Sequence, residues 1–223
     1  MYADKEIQVG GYKTINMSEI KILIVEDEPI IAKNISMYLN NSDFTVSGIA
    51  YDADEAILQL QQNTPDAVIL DINLDCEKDG IDIAAHINQG YHLPFLFLTS
   101  YSDKETLQRA KLVEPSGYIV KPFNERTLLA SIEIAISNFA QKSNKDVPEL
   151  KQEKINKHLL SPLSEREFSV VQYIYQGKTN NQLATDMFLS LNTIKVHIKN
   201  AYLKLDVPSR SMAMVRLREL MLK

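Results

Sequence analysis

Four apolar runs in the first part of the chain each end on a polar residue of a different kind. K-I-L-I-V leads into Glu26 and Asp27, A-V-I-L into Asp71, F-L-F-L into Thr99, and Y-I-V into Lys121. The runs are continuous rather than alternating, which is how strands read when a parallel sheet is covered on both faces. Such open sheets bind ligands outside the carboxyl edges of their strands. All four polar endings fall at that edge, so they are read as one site.

Between the runs the period changes. Ile31, Ile35 and Leu39 recur at spacing four, and Ile57 with Leu60 follows a capping-box spacing from Asp52 to Glu55. Strands are expected near Lys21 to Val25, Thr45 to Ala50, Ala67 to Leu70, Pro94 to Leu98 and Gly117 to Val120. Right-handed crossovers wind these into an α/β, flavodoxin-like fold with a doubly wound five-stranded parallel sheet.

The residue types at the edge define a chemistry. Three carboxylates gathered at one point repel one another, so they either hold protons or are compensated by a divalent cation. Magnesium fits a small oxygen-rich cluster that also handles phosphate. Thr99 can then donate to one phosphoryl oxygen while Lys121 neutralises another, and phosphoryl transfer depends mainly on such positioning and charge. Asp71, alone at its strand end, is the natural nucleophile.

In these motifs the chain resembles a bacterial two-component response regulator. The E-D pair, the D-I-N-L strand end, L-T-S and K-P follow in the order of a receiver domain across residues 18–140. The resemblance implies a strand order of 2-1-3-4-5. It implies that Glu26 and Asp27 supply a magnesium pocket with Asp71, that the backbone carbonyl of Asn73 completes the protein ligands, and that Asp71 accepts a phosphoryl group from a sensor histidine kinase. Thr99 becomes the switch hydroxyl, Lys121 the phosphate-pairing lysine, and Tyr118 the aromatic that changes rotamer on activation. Two positions depart from the usual pattern. Asp75 stands where receivers commonly carry Pro, in a slightly long D-C-E-K-D-G loop, and Ser100 stands where Ala is frequent.

The chain of 223 residues, 45% hydrophobic, is long enough for one medium and one small domain. No apolar stretch approaches a membrane span, and the start lacks the plan of a secretion signal. One cysteine, Cys76, excludes an internal disulfide and suits a reducing cytoplasm. Residues 1–17 show no sustained periodicity and are read as a disordered leader or tag, with Met17 as an alternative start.

Charge divides the chain. Residues 160–223 hold nine Lys or Arg against five Asp or Glu, a balance of +4, while the remainder holds fifteen against twenty-four, a balance of −9. An acidic module is thus joined to a basic one, and the charge of the segment that touches nucleic acid is what counts for binding it. Residues 141–159 are polar and charged and read as an exposed linker, compatible with a short extension of the preceding helix and a helical second half.

The basic segment reads as short helices. Ser164 to Glu167 is a capping-box spacing before V-V-Q-Y-I, and Gly177 can close that helix in a left-handed cap. Asn180 opens a second helix, a third starts near Asn192 and Thr193 and runs to about Leu205, and Ser209 starts a fourth. Val170, Val171, Ile174, Leu183, Ile194, Ile198 and Leu205 are its expected core. Lys204 and Arg210 are read as solvated helix charges. The motifs L-S-E-R-E, Gly177-Lys178, N-N-Q-L-A, T-I-K-V-H-I-K and S-R resemble the LuxR/NarL-type helix-turn-helix, a small all-α domain over residues 160–223. That resemblance implies double-stranded DNA as partner, with Lys195, Val196 and Lys199 facing base edges, Thr193 and His197 touching phosphates, and a homodimer on a two-fold site. The acidic receiver is expected to repel DNA and to cover the recognition helix.

Two other functions compete. A haloacid-dehalogenase-like phosphatase also uses a strand-end Asp with magnesium, but it wants an acid two residues later, where this chain has Asn73. A constitutive DNA-binding regulator whose receiver serves mainly as a dimerisation module has no need of the intact acidic pocket and Lys121. The expectation is a regulator rather than an enzyme.

Overall fold

The computed structural model describes residues 18–222 apart from 41, 75–77, 101–103 and 147–148. The expected leader, Asp75 and Cys76 lie outside the described residues. The five strands are β1 (Ile20–Val25), β2 (Phe44–Ala50), β3 (Ala67–Asp71), β4 (Phe95–Thr99) and β5 (Gly117–Val120). They pair in parallel in the order β2-β1-β3-β4-β5, the order the resemblance implies.

Alternate side chains on one strand serve opposite cores, because successive Cβ atoms point to opposite faces. Ile22 and Ile24 of β1 face α1 (Pro29–Asn40) and α5 (Glu125–Ser143), joining Ile35, Leu39, Leu128 and Ile132. Leu23 and Val25 face the other way, toward α2 (Ala53–Gln62) and α3 (Gly80–Gly90), joining Leu60, Ile83 and Ile87. Truncating one such residue, Ile69 for instance, costs about 2–5 kcal/mol. Asp52 caps α2 through Glu55 N, but the Glu55 carboxylate returns to Tyr51 N rather than to the capping residue. The last strand departs from the two-sided rule. Beside α4 (Lys104–Leu112), which buries only Ala110, Tyr118 and Val120 remain 38% and 44% exposed.

Part of the stretch read as a linker is helical. The α5 helix runs on to Ser143, and α6 (Gln152–Asn156) follows. Leu150 and Ile155 are buried in the carboxyl-terminal core, and Lys154 donates to Met221 O. The short helix extension and the helical second half are as expected, and the departure is that Leu150 and Ile155, which have no period of their own, are buried by packing against the next domain.

That domain comprises α7 (Glu165–Tyr175), α8 (Asn180–Met187), α9 (Leu191–Leu205) and α10 (Arg210–Leu222). Reciprocal capping boxes start α7 at Ser164 and α8 at Thr179. All seven expected core residues are buried. Gly177 has φ 83°, and a Cβ there would lie 2.8 Å from Ala140 Cβ and from Ser137 Cα of α5. Glycine is required both for the left-handed turn and for this approach. The turn between α8 and α9 places Phe188 at φ 56°, an uncommon conformation for an aromatic residue, with its ring 95% exposed.

Two charges expected in solvent are instead structural. Lys204 bridges to Glu167 at 2.7 Å and donates to Pro162 O, tying α9 to α7. Arg210 is only 4% exposed and donates to the Ile174 and Lys178 carbonyls at the end of α7. Free carbonyls at a helix end need donors, and these partners are too distant in sequence to be recognised there.

Candidate functional site

The β1, β3, β4 and β5 ends deliver their polar residues together. Lys121 Nζ lies 2.6 Å from Asp71 Oδ2 and 2.7 Å from Glu26 Oε2. Asp71 Oδ1 accepts from Asn73 N at 3.2 Å, and Glu26 Oε1 from Glu28 N at 3.4 Å. Glu26 is fully buried, while Asp71 and Thr99 are each 5% exposed. The strand pairing sets Asp71 opposite Leu98 and Thr99 opposite Val120, so the acceptor, the hydroxyl and the lysine occupy neighbouring strand ends.

The electrostatics follow from this burial. Loss of water pushes the Glu26 carboxyl up to about 7, with the charge of Asp71 adding to the rise and Lys121 opposing it. Burial alone would pull the Lys121 ammonium down, yet its contacts with Asp71 and Glu26 outweigh that and hold its pKa above the usual lysine range. The Lys121 ammonium therefore balances the acidic cluster.

Ligand oxygens of Glu26, Asp27 and Asp71 all lie within 4.8 Å of one another. Hard oxygen donors gathered at one strand edge are what magnesium selects. The buried Glu26 Oε2 is met by Lys121 at 2.7 Å and by no other donor among the described residues, so it retains capacity for a cation. The residues present fit the metal. Asn73 lies at this edge, its backbone N–H donating to Asp71 Oδ1, whereas ligation by its carbonyl is an expectation carried into the proposal below.

A residue that the sequence reading passed over shapes the acceptor. Gly80 opens α3 and donates to Ile72 O at 3.0 Å, and a Cβ on it would stand 1.9 Å from Asp71 O. The only signal was the D-G pair before a helical period. Gly80→Ala is expected to destabilise the receiver by about 1–3 kcal/mol through overpacking and to displace Asp71. A urea titration checks this, and an unchanged midpoint would contradict it.

Tyr118 sits on β5 beside the site, its ring 6.0 Å from that of Phe97, and burial raises its phenol above the usual tyrosine range. A half-exposed ring on an uncovered strand has room to change rotamer.

The second group of predicted residues lies on α9. Ile194, Ile198, Ala201, Tyr202 and Leu205 are buried, leaving Val196 and Lys199 on the exposed face. Thr193 is partly engaged at home, its hydroxyl 2.8 Å from the capping Ser190 Oγ. His197 is half-buried. Lys195 pairs with Glu19 of the first domain at 3.5 Å. The acidic domain does not cover the recognition helix as expected: it holds Lys195 and leaves Val196 57% exposed and Lys199 exposed.

A flavodoxin-like sheet with an acidic pair, a lone aspartate, a hydroxyl and a lysine at one edge defines a receiver domain, here followed by a helix-turn-helix. Comparison with known families agrees. Residues 22–133 match the response regulator receiver domain, and residues 161–217 match bacterial regulatory proteins of the luxR family. The chain belongs to the response regulator family, with a LuxR-type DNA-binding domain at its carboxyl end.

Among curated proteins it is 33% identical over 121 residues to the transcriptional regulatory protein PdtaR of Mycobacterium tuberculosis, covering 54% of this chain and 58% of that protein's length. It is 28% identical over 203 residues to the response regulator protein VraR of Staphylococcus aureus, covering 88% of this chain and 95% of that one. Among solved structures, the signal receiver domain of a modulated diguanylate cyclase from Desulfovibrio desulfuricans G20 superposes with a TM-score of 0.52 at 38% identity, covering 55% of this chain and 97% of that one. Among the described residues, no helix is long and apolar enough to cross a membrane.

Proposed function

We propose that this protein is a phosphorylation-regulated transcriptional regulator of a two-component system, acting in the cytoplasm. Asp71 accepts the phosphoryl group of a sensor histidine kinase, and the modified protein binds double-stranded DNA as a homodimer through α9. The observation that carries this reading is the Asp71 carboxylate, held by Lys121 at 2.6 Å beside Glu26 and Asp27 at a sheet's carboxyl edge.

One carboxylate oxygen of Asp71 attacks phosphorus as the bond to the kinase histidine breaks. Lys121, already at the acceptor, neutralises a phosphoryl oxygen. Glu26, Asp27 and Asp71, with the Asn73 carbonyl, would hold magnesium, which would supply positive charge to shield the incoming group. Thr99 then donates to the phosphoryl group, and its inward movement leaves room for Tyr118 to turn in. A difference of a few kcal/mol between the two arrangements suffices for such a switch.

On DNA, Lys195 and Lys199 read base edges, Val196 contacts a thymine methyl, and Thr193 and His197 meet phosphates. One such helix spans few base pairs, so specificity is expected from two copies on half-sites about one helical turn apart.

The test is self-association. Sedimentation of the phosphorylated protein is expected to give a dimer and that of the unmodified protein a monomer, with phosphorylated Thr99→Ala remaining largely monomeric. A phosphorylated Thr99→Ala that dimerises like the parent would place the relay elsewhere.

A further inference from the structure

Three helices of the carboxyl-terminal domain end in the same turn. After α7, Gly177 N donates to Ile174 O and Lys178 N to Tyr173 O. After α8, Phe188 N donates to Thr185 O and Leu189 N to Ala184 O, and after α9, Asp206 N donates to Leu203 O and Val207 N to Tyr202 O. Each pair of bonds returns to carbonyls that the helix end leaves free. The first donor of each pair has a left-handed backbone, with φ of 83° at Gly177, 56° at Phe188 and 57° at Asp206. Glycine and aspartate suit that conformation. Phenylalanine does not, because its Cβ crowds the following carbonyl and it has no short polar group to bond locally.

The ring gains little within the fold in return. Met187 and Leu189 on either side pack against the domain core, and Ser190 Oγ accepts from Thr193 N to cap α9, but Phe188 between them is 95% exposed. A residue that breaks the local rule at an exposed position points to function. Its place identifies the partner. Phe188 stands in the turn that joins α8 to α9, three residues before the first residue of α9. In a helix-turn-helix that amino end is the part of the recognition helix that meets base edges. From there Asn192, Val196 and Lys199 are exposed along α9, at the spacing of one helix face. A ring with no polar atom has one favourable partner among the base edges of the major groove, the methyl group of thymine.

We propose that Phe188 is a further specificity-determining residue for DNA: its ring covers a thymine methyl beside the base pairs read by Lys195 and Val196, and the left-handed turn is what presents it there. Glycine at this position would give α8 a more relaxed end, as Gly177 does for α7, and would leave the thymine unread. An aromatic ring that passes from water to a covered apolar contact contributes both area and shape, which is why such residues weigh heavily at interfaces. The consequence is a preference for thymine at one base pair of each half-site, separate from the thymine met by Val196.

This inference rests on the reading of α9 as the DNA-reading helix, and its test separates the two. The full-length phosphorylated protein is titrated against a duplex selected with the parent, and against the same duplex with uracil in place of thymine, which removes only the methyl groups. Phe188→Gly is expected to weaken binding about tenfold on the thymine duplex and about threefold on the uracil duplex. The Val196 contact is common to both proteins and cancels in that comparison. Phe188→Tyr, which keeps the ring, is expected to stay within about twofold of the parent. The urea midpoint of Phe188→Gly is expected to rise, because glycine suits the turn. Equal affinity of Phe188→Gly and the parent overturns the proposal, and so does a loss of the same size on both duplexes. Weaker binding together with a lowered midpoint also overturns it, since the ring would then serve the fold. A phosphorylated parent that binds no duplex would overturn the functional reading itself.

Discussion

Asp71→Asn is expected to reduce phosphoryl incorporation from one group per chain to background. Asp71 is 5% exposed and closes β3 as the acidic residue of that strand. An amide in its place keeps the volume but loses the nucleophilic oxygen pair and the anion that Lys121 faces at 2.6 Å. Glu26 remains, but its carboxyl is fully buried and held by Lys121 at 2.7 Å, which leaves it a weak competitor. Incubation with a small phosphodonor and magnesium, read by intact mass, checks this. Chelation is expected to suppress labelling of the parent. Label that survives Asp71→Asn would show that another side chain is the acceptor.

Replacing both Lys195 and Lys199 by Ala is expected to weaken DNA binding by about 10²-fold or more, since a good contact to a base edge is worth about 1–3 kcal/mol. Both side chains are dispensable for folding: neither belongs to the buried set of Ile194, Ile198, Ala201, Tyr202 and Leu205. The single variants carry further information. If Lys199 reads a base, its loss relaxes sequence preference, whereas a phosphate contact would weaken all sequences alike and lower the salt slope by about one. Lys195 also pairs with Glu19, so Lys195→Ala removes that ion pair together with the proposed DNA contact. A titration of the phosphorylated double variant at fixed salt decides the matter, and full affinity would mean that α9 is not the reader.

The receiver was legible because each apolar run stops on a residue with a distinct chemistry, and those stops coincide in space once the strands are parallel. The helices of the second domain were legible from capping residues: Ser164 and Gly177 hold the places assigned to them, and α8 starts with Asn180. What escaped were interactions whose partners lie far apart in the chain. Leu150 and Ile155 look like isolated apolar residues in a polar stretch until the carboxyl-terminal core encloses them. Arg210 looks like a solvated charge, and its acceptors are the carbonyl of Ile174 in α7 and that of Lys178 in the turn after it.

The same holds at the sites. Gly80 is needed only because the backbone of Asp71 passes directly beside it. Asp43 and Asp66 have no local pattern that distinguishes them from ordinary loop acids, since their donors are Asn181 and Ser211 in the other domain. The expectation that β5 is covered on both faces failed because α4 packs lightly, burying only Ala110. Tyr118 is exposed for that reason, and the same opening gives the ring space to move.

The central claim is that a phosphoryl group on Asp71 controls DNA binding by α9. The most direct measurement is the dissociation constant of the full-length protein for one duplex at one salt concentration, with and without the phosphoryl group. Salt must be held fixed because counterion release alone moves such constants over orders of magnitude. The expected result is at least about tenfold tighter binding on phosphorylation, as linkage between self-association, domain opening and DNA affinity requires, with no change in Asp71→Asn. Equal affinity in the two states of the parent would contradict the account.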